Sequence, residues 1–346
     1  MAAVSIHVLM TGAGAPGGPG ILKCLQKEPG VRVTVADAAA DVAGRYLVED
    51  FLQLPPGDDP RFAETVLNAC RTRGIQIILP LVSRELIPLA QSRASFASAG
   101  IRIPLSATES LEIASNKSRL YEFLQWRGLP VPDFRVATSI GEWSQALKEL
   151  GYPGKAVCFK PSISNGGRGF RVLDSGMDRR KLFFEQKPDH PFISIEEAQH
   201  ILSAGPIPEL LVSEYLSGQE YSVDCLADRG RTVIALPRLR IRIRGGITVQ
   251  GQFVRHEEIL AYCEAIIREL RLHGPIGIQV RANAEGRFRI LEVNPRLQGT
   301  VSSALGAGIN LPVLSLLQEF GLPIDPGSLR VRWGTRFLRY WEDVFY

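Results

Sequence analysis

Glu292 and Asn294 stand two residues apart in the run Ile290-Leu291-Glu292-Val293-Asn294-Pro295-Arg296. Apolar and polar residues alternate there and again in Gly277-Ile278-Gln279-Val280. Both segments therefore read as β-strands, joined as a hairpin through Ala282-Asn283-Ala284-Glu285-Gly286. Strand residues two apart share a face, so Glu292 and Asn294 project together, and Gln279 lies on the partner strand on the face that can meet them. One carboxylate with two side-chain amides is an all-oxygen donor set. It suits Mg²⁺, which takes few protein ligands and completes its shell with water and phosphate oxygens. Arg296, two residues on, adds a fixed planar cation.

Three other segments have chemistry within reach. Phe159-Lys160-Pro161-Ser162-Ile163-Ser164-Asn165-Gly166-Gly167-Arg168-Gly169 lacks the Walker order and is not a P-loop. It still puts a lysine at a strand end before a Ser/Gly turn, whose N–H groups can cover phosphates as an anion nest while Lys160 supplies a point charge. Glu214-Tyr215-Leu216-Ser217-Gly218-Gln219-Glu220 is a strand end, a turn and a second acid. Such a backbone can bond an adenine edge and such an acid a ribose, although alone the segment reads as a surface turn. Arg238, Arg240, Arg242 and Arg244 alternate with apolar residues, which predicts a strand with one cationic face. Arg240, Arg242 and Arg244 are then candidates to clamp an anionic substrate, and a solvated edge strand is the plain alternative.

The turn from Thr11 to Gly20 is rich in glycine and precedes a helix, with Asp37 at the end of the next strand. A dinucleotide fingerprint would use both features, but Pro16 and Pro19 spoil its spacing, which favours a sharp strand-to-helix turn.

The elements that must position these residues follow from periodicity. Strands over 5–10, 31–36, 75–79 and 101–104 alternate with helices over 20–28, 59–73 and 86–99, the pattern of an open parallel sheet covered on both faces. A helix over 115–127 leads to strands over 156–160 and 170–172, which flank the second glycine loop. Residues 174–206 read as a loosely packed connection with one or two helices. A strand over 211–215 follows, then antiparallel strands over 221–227, 231–244, 276–281 and 287–293, with a helix over 256–272 among them. The segment from Gly321 reads as a final strand and tail.

A chain of 346 residues suggests two or three domains, and 45% hydrophobic with 22% charged residues is the composition of a soluble globular protein. The net charge of +4 and the lack of an aromatic-interleaved basic stripe argue against a nucleic-acid partner. No apolar run reaches the length of a membrane span, and no leader is read before the first strand. The five cysteines are scattered without CxxC spacing and read as buried hydrophobes in a reducing cytoplasm.

Taken in order, the motifs resemble the ATP-grasp superfamily, most closely its carbamoyl-phosphate-synthase-like branch. The matching pieces are Asn116-Lys117-Ser118-Arg119, Lys160-Pro161-Ser162 through Gly166-Gly167-Arg168-Gly169, Glu214-Tyr215-Leu216 with Glu220, Gln279, and Glu292 through Arg296. The resemblance implies an ATP-grasp fold of α/β and α+β character, preceded by a Rossmann-like parallel α/β domain. Expected divisions are 1–110 for that domain, 111–215 for a small lid with the glycine loop, and 216–346 for the metal-bearing part and tail. It further implies ATP with Mg²⁺ or Mn²⁺ as cofactors. Lys117, Lys160, Ser164, Gly166 and Gly167 would meet the phosphates, Glu214, Tyr215 and Leu216 the adenine, and Glu220 the ribose. Gln279, Glu292 and Asn294 would hold the metal, and Arg296 would stabilise the transferring phosphoryl group. Many relatives have an acid where this chain has Gln279 or Asn294, and the region 174–206 and the tail after Gly321 carry no motif that the resemblance assigns. The implied reaction is ligation of a small-molecule carboxylic acid to an amine, with an amino acid as one substrate and a homodimer as the default assembly.

Two other classes stay open: a nicotinamide-dependent oxidoreductase built on the first glycine turn, and a non-catalytic nucleotide-binding regulator. Glu292→Ala should abolish Mg²⁺-dependent ATP turnover with the fold intact, whereas replacing an acid elsewhere, such as Glu142, should not. Near wild-type turnover of Glu292→Ala at low Mg²⁺ would overturn the metal assignment.

Overall fold

The structure is a computed structural model that describes residues 5–164, 166–188 and 190–346. Asn165 of the expected phosphate loop lies outside the described residues. The chain forms two compact units, the larger from residues 1–115, 220–280 and 292–346 and the smaller from 116–219 and 281–291.

The larger unit begins with four parallel strands, β1 (Ile6–Thr11), β2 (Val31–Asp37), β3 (Phe51–Gln53) and β4 (Ile77–Leu79), in the order β3-β2-β1-β4. All six residues of β1 are buried, as an internal parallel strand covered on both faces requires; Ile6, Val8, Leu9 and Met10 are apolar, and the polar His7 and Thr11 bond to Thr34 and Glu85. The helix Gly18–Gln26 starts with proline in its first turn, where a missing N–H costs nothing, and buries Ile21, Leu22 and Leu25. Its N-terminal turn is tightly packed. A Cβ on Gly17 would lie 2.5 Å from the Cα of Gly299, so no larger residue fits there.

Several expected elements differ. The helix expected over 86–99 is two, Ser83–Gln91 and Arg93–Ser98, broken at Ser92. The strand expected over 101–104 is a single bridge between Ile77 and Arg102. The helix expected over 115–127 is found as Lys117–Trp126, and a helix not anticipated, Thr108–Ser115, precedes it. Asn116 separates the two: its side chain accepts from the Arg119 N–H at 3.1 Å and caps the second helix.

The smaller unit is an antiparallel sheet of β5 (Phe134–Ala137), β6 (Val157–Pro161), β7 (Arg171–Leu173) and β8 (Leu210–Glu214), ordered β5-β8-β6-β7. The helix Ile140–Glu149 covers it with Trp143, Ala146 and Leu147, and Trp143 meets Phe159 edge-on at 5.5 Å. Neither β5 nor that helix is anticipated above. The β6–β7 connection turns through Gly166, Gly167 and Gly169, all at φ between 64° and 75°, where a Cβ is strained. Between β7 and β8 lie the two helices Arg179–Glu185 and Ile195–Ser203, the first without a buried residue.

The larger unit resumes with an antiparallel sheet. Its strands are β9 (Glu220–Asp228), β10 (Arg231–Arg244), β11 (Ile247–Phe253), β12 (Gly274–Ala282), β13 (Phe288–Asn294) and β14 (Arg336–Leu338), in the order β13-β12-β9-β10-β11-β14. Apolar residues of β1, β9 and β10 and of the helices Gly18–Gln26 and Leu311–Glu319 share one core. All five cysteines are buried and unbridged, and burial pushes the Cys24 and Cys70 thiols up to about 12. Among the described residues, no helix is long and apolar enough to cross a membrane.

The single cationic face expected along β10 is not found. Register shifts between Arg240 and Arg242 and between Arg242 and Ile243 interrupt the alternation, leaving Ile241 and Ile243 exposed beside Arg242 and Arg244. Arg238 instead turns into the core, fully buried, with its guanidinium 3.3 Å from the equally buried Asp224 of β9. Removing one partner of such a pair strands a charge in low dielectric, at a cost of about 3–5 kcal/mol. Asp224→Ala should therefore destabilise by that amount in denaturant unfolding. The double replacement Asp224→Leu with Arg238→Met should recover most of it, and equal losses from both variants would show that the pair's charges are irrelevant.

Candidate active site

In the larger unit, Glu292 and Asn294 do share a face of β13. The Asn294 Nδ2 donates to Glu292 Oε1 at 2.9 Å. That bond uses the amide nitrogen, which no metal takes, and leaves Asn294 Oδ1 as a hard donor beside the carboxylate. The donor set thus fits Mg²⁺, with a single acid. Among the described residues there is no group of three or more His, Cys, Asp and Glu able to hold a metal.

Gln279 on β12 is drawn into a different contact. Arg240 of β10 forms an ion pair with Glu220 of β9 and also donates to Gln279 Oε1 at 3.2 Å and to Thr248 Oγ1 at 3.0 Å. Residues read separately as ribose, metal and substrate groups therefore share one hydrogen-bonded cluster. Arg242 and Arg244 do not join it. Both are exposed, with Arg244 lying over the Trp341 ring at 5.0 Å.

Arg296 donates from Nε to Ser83 Oγ at 3.1 Å and from Nη1 to its neighbour's carbonyl, Leu297 O, at 2.9 Å. Burial pulls its pKa below the usual guanidinium range, and the charges of Glu292 and Glu85 oppose that fall. Glu85 is the residue that motif reading misses. It lies two positions beyond Ser83, is buried, and accepts from the Thr11 hydroxyl at the end of β1. Only the paired burial of two polar residues 74 positions apart marks it, and no local pattern carries that signal.

The first glycine turn is held by side chains as well as by its own backbone. Asp37 accepts from the N–H of Gly14 at 2.8 Å and of Ala39 at 3.0 Å, so its carboxylate serves the turn. Arg339 bonds the carbonyls of Pro16 and Gly299, both at 3.0 Å.

In the smaller unit two lysines are buried at the start of the glycine loop. Lys117, at the first position of its helix, donates from Nζ to the carbonyl of Ser164 at 2.7 Å. Lys160 on β6 donates to the carbonyl of Leu291 at 3.1 Å and lies over the Tyr121 ring at 5.7 Å. Tyr121 also donates to the Ile290 carbonyl at 2.9 Å and was not anticipated. At the end of β8, the Glu214 carboxylate accepts from the Asp133 N–H at 3.2 Å. Tyr215 carries the Arg281 guanidinium over its ring at 5.1 Å, and Leu216 is buried. Arg281, also missed from sequence, bonds the Gly218 carbonyl at 3.0 Å.

Burial pushes the Glu85 carboxyl up to about 7, with Asp37 adding to the rise and the Thr11 hydroxyl opposing it. A carboxyl whose folded pKa exceeds its unfolded value stabilises fully below the unfolded value, and loses that contribution as pH climbs through the folded one. Stability should therefore fall by roughly 3 kcal/mol between about pH 4.5 and pH 7.5 through this group. Glu85→Gln should flatten that slope in urea unfolding, and an unchanged slope would show that the carboxyl is ionised throughout.

Residues 206–337 match a family model described as "ATP-grasp in the biosynthetic pathway with Ter operon". Residues 8–104 match the N-terminal domain of PylC-like proteins. The carbamoyl phosphate synthase large chain of Clostridium acetobutylicum is 25% identical over 244 residues, a match covering 65% of this chain and 21% of that relative. Among solved structures, an ADP complex of N5-carboxyaminoimidazole ribonucleotide synthetase superposes with a TM-score of 0.70 at 18% identity, covering 94% of this chain and 80% of the other. An L-amino acid ligase from Bacillus licheniformis does so with a TM-score of 0.66 at 17% identity, covering 94% and 77%. The parallel α/β region and the two antiparallel sheets agree with these matches: the chain has the ATP-grasp fold, and residues 206–337 match an ATP-grasp family model.

Proposed function

We propose that this chain is an ATP-dependent ligase that joins a carboxylic acid to an amine, with an amino acid as one substrate. The hydrogen-bonded Glu292–Asn294 pair, two residues before the half-buried Arg296, is the observation that carries this reading. It combines a hard metal-donor set with a fixed planar cation on one strand end.

The chemistry conserves atoms simply. A carboxylate oxygen attacks the γ-phosphorus of ATP, the bond to the bridging oxygen breaks, and ADP leaves an acyl phosphate behind. The amine then attacks the acyl carbon and loses a proton, and phosphate departs with the oxygen that came from the acid. In this scheme Lys117 and Lys160 attract the phosphates while the N–H groups of the Ser164, Gly166 and Gly167 loop cover them. Glu214, Tyr215 and Leu216 hold the adenine, and Glu220 holds the ribose with its orientation fixed by Arg240. Glu292 and Asn294, with Gln279, would hold Mg²⁺, which neutralises phosphate charge when bound. Arg296 spreads its fork over oxygens whose charge grows during transfer. Since Arg240 is engaged by Glu220, Arg242 and Arg244 are the cations left to attract a substrate carboxylate.

ATP turnover against pooled amino acids and small acids, bicarbonate included, tests the reading. ADP and phosphate should form, ¹⁸O in the acid should pass into the phosphate, and hydroxylamine should trap a hydroxamate when the amine is withheld. Stoichiometric AMP, or unlabelled phosphate from labelled acid, would sink the mechanism. Arg296→Lys should lose far more in turnover, on the order of 100-fold, than in ATP affinity.

A further inference from the structure

At the other end of the β9–β10 hairpin, the larger unit has a cavity of 790 Å³ lined by Arg93, Arg229, Arg231, Arg268, Arg271 and His273. β9 runs nine residues from Glu220 to Asp228, so this cavity lies about 26 Å along the strand from the Arg240–Glu220 pair. None of its residues takes part in the reaction proposed above.

Local structure explains how the arginines converge. The hairpin turn Arg229-Gly230 docks on the end of the helix Glu257–Glu269, where Gly230 N–H donates to the Leu272 carbonyl at 2.8 Å. That brings the turn arginines beside Arg268 and Arg271. Some of the charge is already matched. Arg231 pairs with Asp228 at 3.2 Å, Arg268 with Glu269 at 3.2 Å, and His273 with Glu319 at 2.6 Å. Arg93 is spent on the carbonyls of Leu105 and Ser106, both at 2.8 Å. Among the described residues, the side chains of Arg229 and Arg271 have neither an ion pair nor a hydrogen bond.

Those two arginines also stand where the backbone disfavours them. Both have φ of 47°, and they are the non-glycine residues with positive φ among the described residues. Arg229 takes the first position of a two-residue hairpin turn, which Asn or Gly fills by preference. Arg271 follows the helix cap, the usual place of glycine. Fold alone thus calls for other residues at both positions, and cationic side chains occupy them instead. Such strain, held at a cavity wall, fits a site that uses the side chains.

We propose that this cavity binds a phosphorylated small molecule, with the Arg229 and Arg271 guanidinium forks on its phosphate oxygens. Arginine forks match phosphate geometry, the volume is that of a small-ligand site, and Leu105 and Ala107 give it an apolar wall. The assignment stands independently of the ligase reading.

Calorimetric titration of the full chain with inorganic pyrophosphate, without magnesium, tests it. The wild type and Lys160→Ala should share a binding event that Arg229→Gly/Arg271→Gly weakens at least tenfold, while that double variant keeps its Mg-ATP affinity. Glycine suits both backbone positions, so the variant should melt no lower than the wild type. Arg229→Asn/Arg271→Asn, also compatible with positive φ, should show the same loss. Pyrophosphate binding unchanged in both double variants, or absent from the wild type, would overturn the proposal. So would a single-stranded oligonucleotide that binds through these arginines and that pyrophosphate fails to displace.

Discussion

Holding cations partly out of water with their N–H groups met is the constraint on which the candidate site depends. An unmet N–H group on a buried cation is costly, and neutral oxygens are among the acceptors that relieve it. Lys117 donates to a Ser164 carbonyl, Lys160 to a Leu291 carbonyl, and Arg296 to a serine hydroxyl and the Leu297 carbonyl. The acceptors lie within β13 (Leu291), just past it (Leu297), at a loop start (Ser164) and at a helix start (Ser83), so fold and electrostatics are one arrangement.

Arg238 and Arg240 show the opposite solution two residues apart. Arg238 is sealed against Asp224 and does structural duty, whereas Arg240 is neutralised by Glu220 and orients it. The same strand therefore contributes a core ion pair and a site ion pair before its register shifts and opens to solvent at Arg242. Charge along a strand is not one property but a sequence of local environments.

This is also where sequence reading reached its limit. Side-chain parity is a local rule, so the Glu292–Asn294 pair, the strand-end position of Lys160 and the hairpin that presents them were legible from residues alone. The β10 alternation obeyed the same rule on paper and misled, because bulges are set by the neighbouring strand. The helix Thr108–Ser115 went unread, although the one after it was placed to within two residues, where the Asn116 side chain caps it. Glu85 and Arg281 stayed invisible because their partners come from distant segments. The turn at Thr11–Gly20 was legible as a sharp turn, and the use of Asp37 by the Gly14 and Ala39 N–H groups gives that reading its physical basis.

The contact of Gly17 with Gly299 ties that turn to the segment just past Arg296, with Arg339 stitching both carbonyl sides. Two stretches nearly three hundred residues apart must therefore change together. A chimaera that borrows its first hundred residues from a relative inherits a turn shaped for another partner, unless residues 296–301 and Arg339 travel with it. In recombination terms, the beginning and the end of this chain are one heritable block.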